Sequence, residues 1–247
     1  MPSFKSGAVT IAYDDEGEGE AVLLIHGFGS NAHVNWREPG WVDTLVKSGR
    51  RAIAMDNRGH GRSGAPHDIA AYSVPQMAED ARSLLDHLGI VRAAVMGYSM
   101  GASIATWLTL THPERVSHLV LGGLAWNVVR GVGGHEDLAL ALEAPALARD
   151  ASPKQKAYRA FAEQTNSDRQ ALAACMRGIR QPIAEAELSQ IRCPVLVVAG
   201  ELDDVAGPVD KLVALIPGAR GVVLPRRNHM NAVGDKGYKE AVLAFLG

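Results

Sequence analysis

Cysteine is scarce in this chain. Cys175 and Cys193 are the only two in 247 residues. They form no C-x-x-C pair, and no histidine cluster joins them at zinc spacing, so neither a disulfide scaffold nor a metal site is expected. Both read as buried free thiols. An excess of one charge is lacking too: 25 Lys and Arg against 27 Asp and Glu leave a net charge of −2. That balance offers no electrostatic footing for nucleic acid or an anionic membrane surface. The Arg226-Arg227 pair is too short to make a basic patch. No apolar run approaches the ~18 residues of a membrane span. The opening residues, MPSFKSGAVT, hold no apolar core of a signal peptide, so a cytoplasmic chain is expected. Gly/Ser linkers, internal repeats and low-complexity segments are also missing, which argues for one domain.

What is present is an alternation of apolar runs and helical patterns. GAVTIAY (7–13) reads as an early strand, and the acidic turn DDEGEGE (14–20) follows it. AVLLI (21–25), RAIAM (51–55), AAVMG (93–97), SHLVLGG (117–123), PVLVVAG (194–200) and GVVLP (221–225) read as further strands. Their apolar runs are continuous rather than alternating, as in strands covered on both faces, so a mostly parallel, doubly wound α/β sheet is expected. Between them, Val74, Met77, Ala81, Leu84, Leu85 and Leu88 recur at helical spacing, with Ser73 as N-cap, Pro75 in the first turn and Gly89 at the end. MGASIATWLTLTHP (100–113) is a nearly all-apolar, buried helix, and DKGYKEAVLAFLG closes the chain as an amphipathic one. Residues 127–190 break the alternation: EDLALALEAPALARD, SPKQKAYRAFAEQ and SDRQALAACMRGIRQ read as helices. The expected organisation is a core of residues 1–126 and 191–247 with a small helical cap at 127–190.

Chemistry enters at AAVMGYSMGAS (93–103). Gly97-Tyr98-Ser99-Met100-Gly101 is a G-x-S-x-G between a strand and a helix, the pattern of a nucleophile elbow. The sharp reversal strains the central residue, the glycines permit close packing, and the Ser99 hydroxyl is held out at the carboxyl end of the sheet. The helix N-terminus favours negative charge there, and the Met100 N–H lies beside the nucleophile. A serine needs a base, and the base needs an orienting carboxylate. In sheets built this way the order is Ser, acid, His. GELDD supplies Asp203 just past one strand, with Asp204 as the less favoured neighbour, and NHM supplies His229 just past the next.

Two glycine runs imitate a dinucleotide site. Gly27, Gly29 and Ala32 fit G-x-G-x-x-A, and Gly59, Gly61 and Gly64 fit G-x-G-x-x-G. Neither is followed directly by the helix that a pyrophosphate requires: Pro39-Gly40 interrupts after the first, and Ala65-Pro66 follows the second.

The stretches LLIHGFG, MDNRGHGRS, GYSMGA, THPERVSHLVL, GELDD and NHM, in this order, resemble the α/β-hydrolase fold superfamily over essentially the whole chain. HGFG, GYSMG and the small cap are similar to its esterases, cofactor-free perhydrolases and enol-lactonases. The resemblance implies Ser99 as nucleophile, His229 as base and Asp203 as its orienter. It places the Phe28 and Met100 N–H groups in an oxyanion hole and requires no cofactor or metal. Ser at position 99 argues against the aspartate-nucleophile dehalogenases and epoxide hydrolases. The expected reaction is cleavage of a small-molecule carboxylic ester. Lactone or carbon–carbon bond hydrolysis is the alternative, and a non-catalytic binding protein of the same fold is an alternative of another class. Few charged residues neighbour the catalytic positions in sequence, so a small or medium apolar acyl group is expected. Tyr98, Trp126 and His33 are candidates for contact with it.

Overall fold

The computed structural model describes residues 2–247 and centres on an eight-stranded sheet. Its strands are β1 (Ser3–Ser6), β2 (Val9–Glu16), β3 (Glu20–Ile25), β4 (Arg50–Met55), β5 (Ala93–Tyr98), β6 (Val116–Gly122), β7 (Val195–Gly200) and β8 (Arg220–Leu224). They lie in the order β1-β2-β4-β3-β5-β6-β7-β8. Pairing is antiparallel from β1 to β2 and from β2 to β4, and parallel everywhere else. The expected α/β class, mostly parallel and doubly wound, is what folds.

The helices are α1 (Trp41–Lys47), α2 (Val74–His87), α3 (Met100–Thr111), α4 (Asn127–Arg130), α5 (His135–Glu143), α6 (Pro153–Gln164), α7 (Arg169–Gly178), α8 (Glu185–Leu188), α9 (Val209–Leu215) and α10 (Lys236–Leu246). Side chains alternate across each strand, so every central strand feeds two cores. Along β5, Ala93 and Val95 join the core under α2, α3 and α9, while Ala94, Met96 and Tyr98 join the core under α1 and α10. In α2 the apolar stripe buries Val74, Met77, Ala81, Leu84 and Leu85, and Ser73 Oγ caps it by accepting the Gln76 N–H at 3.1 Å. Both cysteines are free and buried. Among the described residues no helix is long and apolar enough to cross a membrane.

Between β6 and β7 the chain carries only helices, α4 to α8. The run expected to be helical through Asp150 stops at Glu143, because Pro145 forces Ala144 into an extended conformation (φ −54°, ψ 138°). Ser152 opens α6 with a reciprocal capping box to Gln155. β1, α1 and α9 are among the elements that carried no sequence expectation. β1 spans four residues, too few for a period, and α1 and α9 span seven each.

A buried ion pair ties the loop after β4 to α2. Arg58 donates to both Asp80 oxygens, at 2.6 and 2.7 Å, and to the Ala71 carbonyl at 2.7 Å. The two side chains are 5% and 1% exposed. Removing one partner strands a buried charge, which costs about 3–5 kcal/mol. Asp80→Asn is therefore expected to lower the urea-unfolding free energy by about that amount; a loss under about 0.5 kcal/mol, the range of ordinary surface changes, would show that the pair is not holding this loop.

Candidate active site

The site grows out of a reversal in strand order. From β3 the chain passes through α1 to β4 on one side, then crosses back through α2 to β5 on the other. The carboxyl ends of β3 and β5 thus border the crevice where an open α/β sheet ordinarily binds ligands. Ile25 pairs with Gly97, so the residues that follow each strand emerge side by side. After β3 comes the loop His26–Ser30; after β5 comes Ser99.

Ser99 holds φ 54° and ψ −118°, a conformation that costs a non-glycine residue about 1–3 kcal/mol. Its surroundings impose it. The Ser99 N–H donates to the Gly122 carbonyl at 2.8 Å, and the Ser99 carbonyl accepts the Ala102 N–H at 2.8 Å. A methyl group on Gly97 would run into the Gly101 carbonyl, and one on Gly101 into the carbonyls of Ile25 and His26. The two motif glycines are what let α3 start this close beneath β5 and β3.

His229 and Asp203 arrive from the next two strand ends. Asp203 has a fully buried side chain. Its Oδ1 accepts the N–H groups of Val205 and Ala206, both at 2.9 Å, and Oδ2 faces His229 Nδ1 at 2.9 Å. With Nδ1 donating to the carboxylate, Nε2 is left as acceptor, 3.1 Å from Ser99 Oγ. The turn that carries the histidine is clamped from both sides: Asn228 Oδ1 accepts the N–H groups of Met230 and Asn231, and Asn231 Oδ1 accepts that of Asn228. Asp204, the neighbour of the acid, is exposed.

The loop after β3 is fixed by buried polar groups. Gly27 N–H donates to Asn35 Oδ1 at 3.1 Å, and Ala32 N–H to Asp56 Oδ1 at 2.7 Å. His26 Nδ1 donates to the Gly27 carbonyl at 2.7 Å, while Nε2 accepts the Asn57 N–H at 2.9 Å. His60 Nδ1 donates to the Arg58 carbonyl, and its ring meets those of His26 and Phe28 edge-on, 5.3 and 5.6 Å away. Burial holds both histidines below the usual imidazole range, His60 at about 3. No acceptor among the described residues takes the Phe28 N–H, and Met100, as first residue of α3, has no intrahelical acceptor for its own. The second glycine run is closed to a phosphate. The Asp56 carboxylate occupies the space beside Gly61, 2.6 Å from where a Cβ would sit, and the Tyr72 hydroxyl the space beside Gly59.

The cap covers the crevice. A cavity partly open to solvent is walled by Phe28, Ser99, Met100 and Ser103 from the core and by Val128, Leu138, Tyr158 and Met176 from the cap, among others. Phe28 also packs into the cap's own small core of Leu138, Leu142, Ala162, Leu172 and Met176. Thr165 Oγ1, at the end of α6, lies 3.0 Å from the Gly29 carbonyl, which it can reach as donor. Among the described residues no group of three or more His, Cys, Asp or Glu is placed to hold a metal ion.

Comparison with known proteins agrees with this architecture. Residues 20–145 match the family model for the alpha/beta hydrolase fold. The chain belongs to the α/β-hydrolase family. A Bacillus subtilis protein described as a 2-succinyl-6-hydroxy-2,4-cyclohexadiene-1-carboxylate synthase is 28% identical, over 91% of this chain and 89% of that protein. Further curated relatives, epoxide hydrolases among them, match over 42–46% of this chain, and the match covers 19–41% of their own length. Among solved structures, a hydrolase from Pseudomonas aeruginosa superimposes with a TM-score of 0.81 at 29% identity, covering 100% of this chain and 98% of that one. An enol-lactonase from Burkholderia xenovorans shares the fold, with a TM-score of 0.81 at 23% identity over 99% of both chains. Family and relatives together indicate a hydrolase.

Within this α/β-hydrolase, Ser99, His229 and Asp203 come together as the motif order requires, and Phe28 and Met100 flank the serine. The three candidates for substrate contact do not line the cavity. Tyr98 lies on the opposite face of β5, as strand alternation dictates. Its hydroxyl donates to the His229 carbonyl at 2.6 Å, so it braces the histidine instead. The Trp126 ring sits under Lys211 Nζ, 5.7 Å from its centroid, on the α9 side. His33 is solvent-exposed at the start of the short π-helical segment His33–Arg37 that follows the loop, and it faces Glu38 at 3.4 Å. The cavity instead uses residues that carried no local signal, among them Val74, Leu124, Asn127, His135, Arg180 and Gln181. Ser103 had one: it stands four residues after Ser99, on the same face of α3.

His60 gives this loop a pH dependence of known sign. Its folded pKa of about 3 lies below the ordinary 6.5, so the unfolded chain binds more protons between those values. The stability contributed by neutral His60 is fully present above pH 6.5 and falls away as pH drops toward 3. His60→Gln is expected to flatten the acid limb of a stability–pH curve. In the native protein the His60 ring resonances should keep neutral-form shifts from pH 7 down to about pH 4; a midpoint near 6.5 would contradict the burial argument.

Proposed function

We propose that this protein hydrolyses carboxylic esters through an acyl-enzyme on Ser99. The observation that carries the reading is the unbroken chain from Ser99 Oγ to His229 Nε2, at 3.1 Å, and from His229 Nδ1 to Asp203 Oδ2, at 2.9 Å. His229 takes the serine proton as Oγ attacks the carbonyl carbon. The Phe28 and Met100 N–H groups receive the developing oxyanion, each such donor being worth about 3–4 kcal/mol. Collapse expels the alcohol with the proton from His229. Water, deprotonated by the same imidazole, then releases the acid. Asp203 stays ionised and holds the imidazole in the orientation both steps need. The mostly apolar wall of Met100, Leu124, Val128, Leu138 and Met176 suits the hydrocarbon part of a small or medium substrate.

Initial rates on p-nitrophenyl esters of increasing acyl length test this directly. Wild type should turn over with an optimum at one chain length. Ser99→Ala should fall to background, and Asp203→Asn should lose about 10⁴-fold in kcat. Fluorophosphonate should label wild type and not Ser99→Ala. An unlabelled serine and no turnover of any ester would sink the reading. Lactone turnover far above open-chain turnover would move the substrate class to lactones.

A further inference from the structure

The cavity wall has a polar sector that the chemistry at Ser99 does not use. It is built from the first residue of α5 and the segment after α7, and it holds the half-buried His135 and, at the exposed rim, Arg180 and Gln181. Each presents hydrogen-bonding capacity with no protein partner among the described residues. Arg180 spends only Nη2, on Glu136 Oε2 at 2.9 Å, which leaves Nε and Nη1 free. Gln181 turns its oxygen toward the Val74 N–H at 3.4 Å, so its NH₂ group remains unspent. No acceptor or donor faces the half-buried His135 ring. Burial, and after it the charges of Arg180 and Lys154, hold His135 below its ordinary pKa. The ring is therefore neutral, offers one N–H, and sits in a positive local field.

Glu136 is the natural objection, since it contacts Arg180. It is shared, however: Arg177 holds the same carboxylate at 2.9 Å and also pairs with Glu143. Arg180 is therefore only partly compensated and keeps Nε and Nη1 as charged donors for a carboxylate.

We propose that this sector of the cavity is a carboxylate subsite, and that the ester cleaved at Ser99 carries a free carboxylate on its acyl or alcohol part, received by Arg180 with His135 and Gln181 at its side. The identity of the scissile bond rests on the ester-cleaving reading; the anion site does not. The apolar stretch of wall between the two sites then houses the hydrocarbon that separates carboxylate from ester.

The test separates the two readings. Binding to Ser99→Ala protein is measured by calorimetry for monomethyl succinate through monomethyl suberate, each beside the neutral methyl ester of the same acyl length. At the best length the half-ester should bind at least about tenfold more tightly, the effect of one charge-assisted contact. In that background Arg180→Met should bring the ratio close to one, and Arg180→Lys should keep part of it. Glu136→Gln should raise it, because Nη2 is released. That opposite sign keeps the test decisive even where Arg180→Met folds poorly. No preference for the half-ester at any length, or a preference indifferent to both substitutions, overturns the subsite. Carboxylate discrimination with a serine that fluorophosphonate does not label leaves the subsite standing and removes the ester-cleaving reading. A labelled serine without discrimination does the reverse.

Discussion

The site depends on one close approach: the backbone of α3 at Gly101 against the carbonyls of Ile25 and His26. No side chain fits between them. Because they touch, the helix that follows Ser99 begins directly beneath the end of β3, and the loop His26–Ser30 is brought to the side of the serine. The strain at Ser99 is the local cost of this approach, and Gly97 and Gly101 are the only two motif positions where a missing Cβ is needed to allow it. A second consequence is electrostatic. Met100, in the first turn of α3, and Phe28, on the neighbouring loop, each carry a backbone N–H that no acceptor among the described residues takes.

Around that contact the polar groups form a graded support. Asp56 and Asn35 hold the loop, His26 and His60 stay neutral beneath it, and Tyr98 braces the histidine turn from behind. Each of these residues bonds a backbone N–H or carbonyl group of the loops that carry the chemistry, while Asn35 Nδ2 and His60 Nε2 stay buried without a partner among the described residues. The glycine-rich turn after β4, which imitates a nucleotide loop in sequence, belongs to this support: Gly61 makes room for a carboxylate of the protein's own.

Much of this was legible before folding, for physical reasons that can be stated. Strands β3, β5, β6 and β7 are buried on both faces, so their sequences carry continuous apolar runs; α2 is buried on one, so it carries a stripe. Ser99, Asp203 and His229 were legible because each follows a strand end, and strand ends are marked by the runs themselves. Tyr98, Trp126 and His33 lie near the catalytic positions in sequence but do not line the cavity. Strand alternation sends Tyr98 to the far face, and the chain turns Trp126 outward toward α9. The cavity wall was illegible for the converse reason. His135 and Arg180 lie 36 and 81 residues beyond Ser99 in the chain, and only the packing of the cap brings them to it. β1, α1 and α9 are too short to accumulate a periodic signal.

Phe28 belongs to two structures at once. Its backbone is part of the loop beside the serine, and its ring is part of the cap's core, with Thr165 reaching the next residue's carbonyl. The cap is thus not a removable cover. Exchanging it for the cap of a relative would replace the seat of Phe28 along with the pocket wall. Over evolutionary time, drift at Leu138 or Met176 is constrained twice, by what the pocket must admit and by where Phe28 must stand. Substrate range in this chain can therefore diversify most freely at cap positions that line the cavity without touching Phe28.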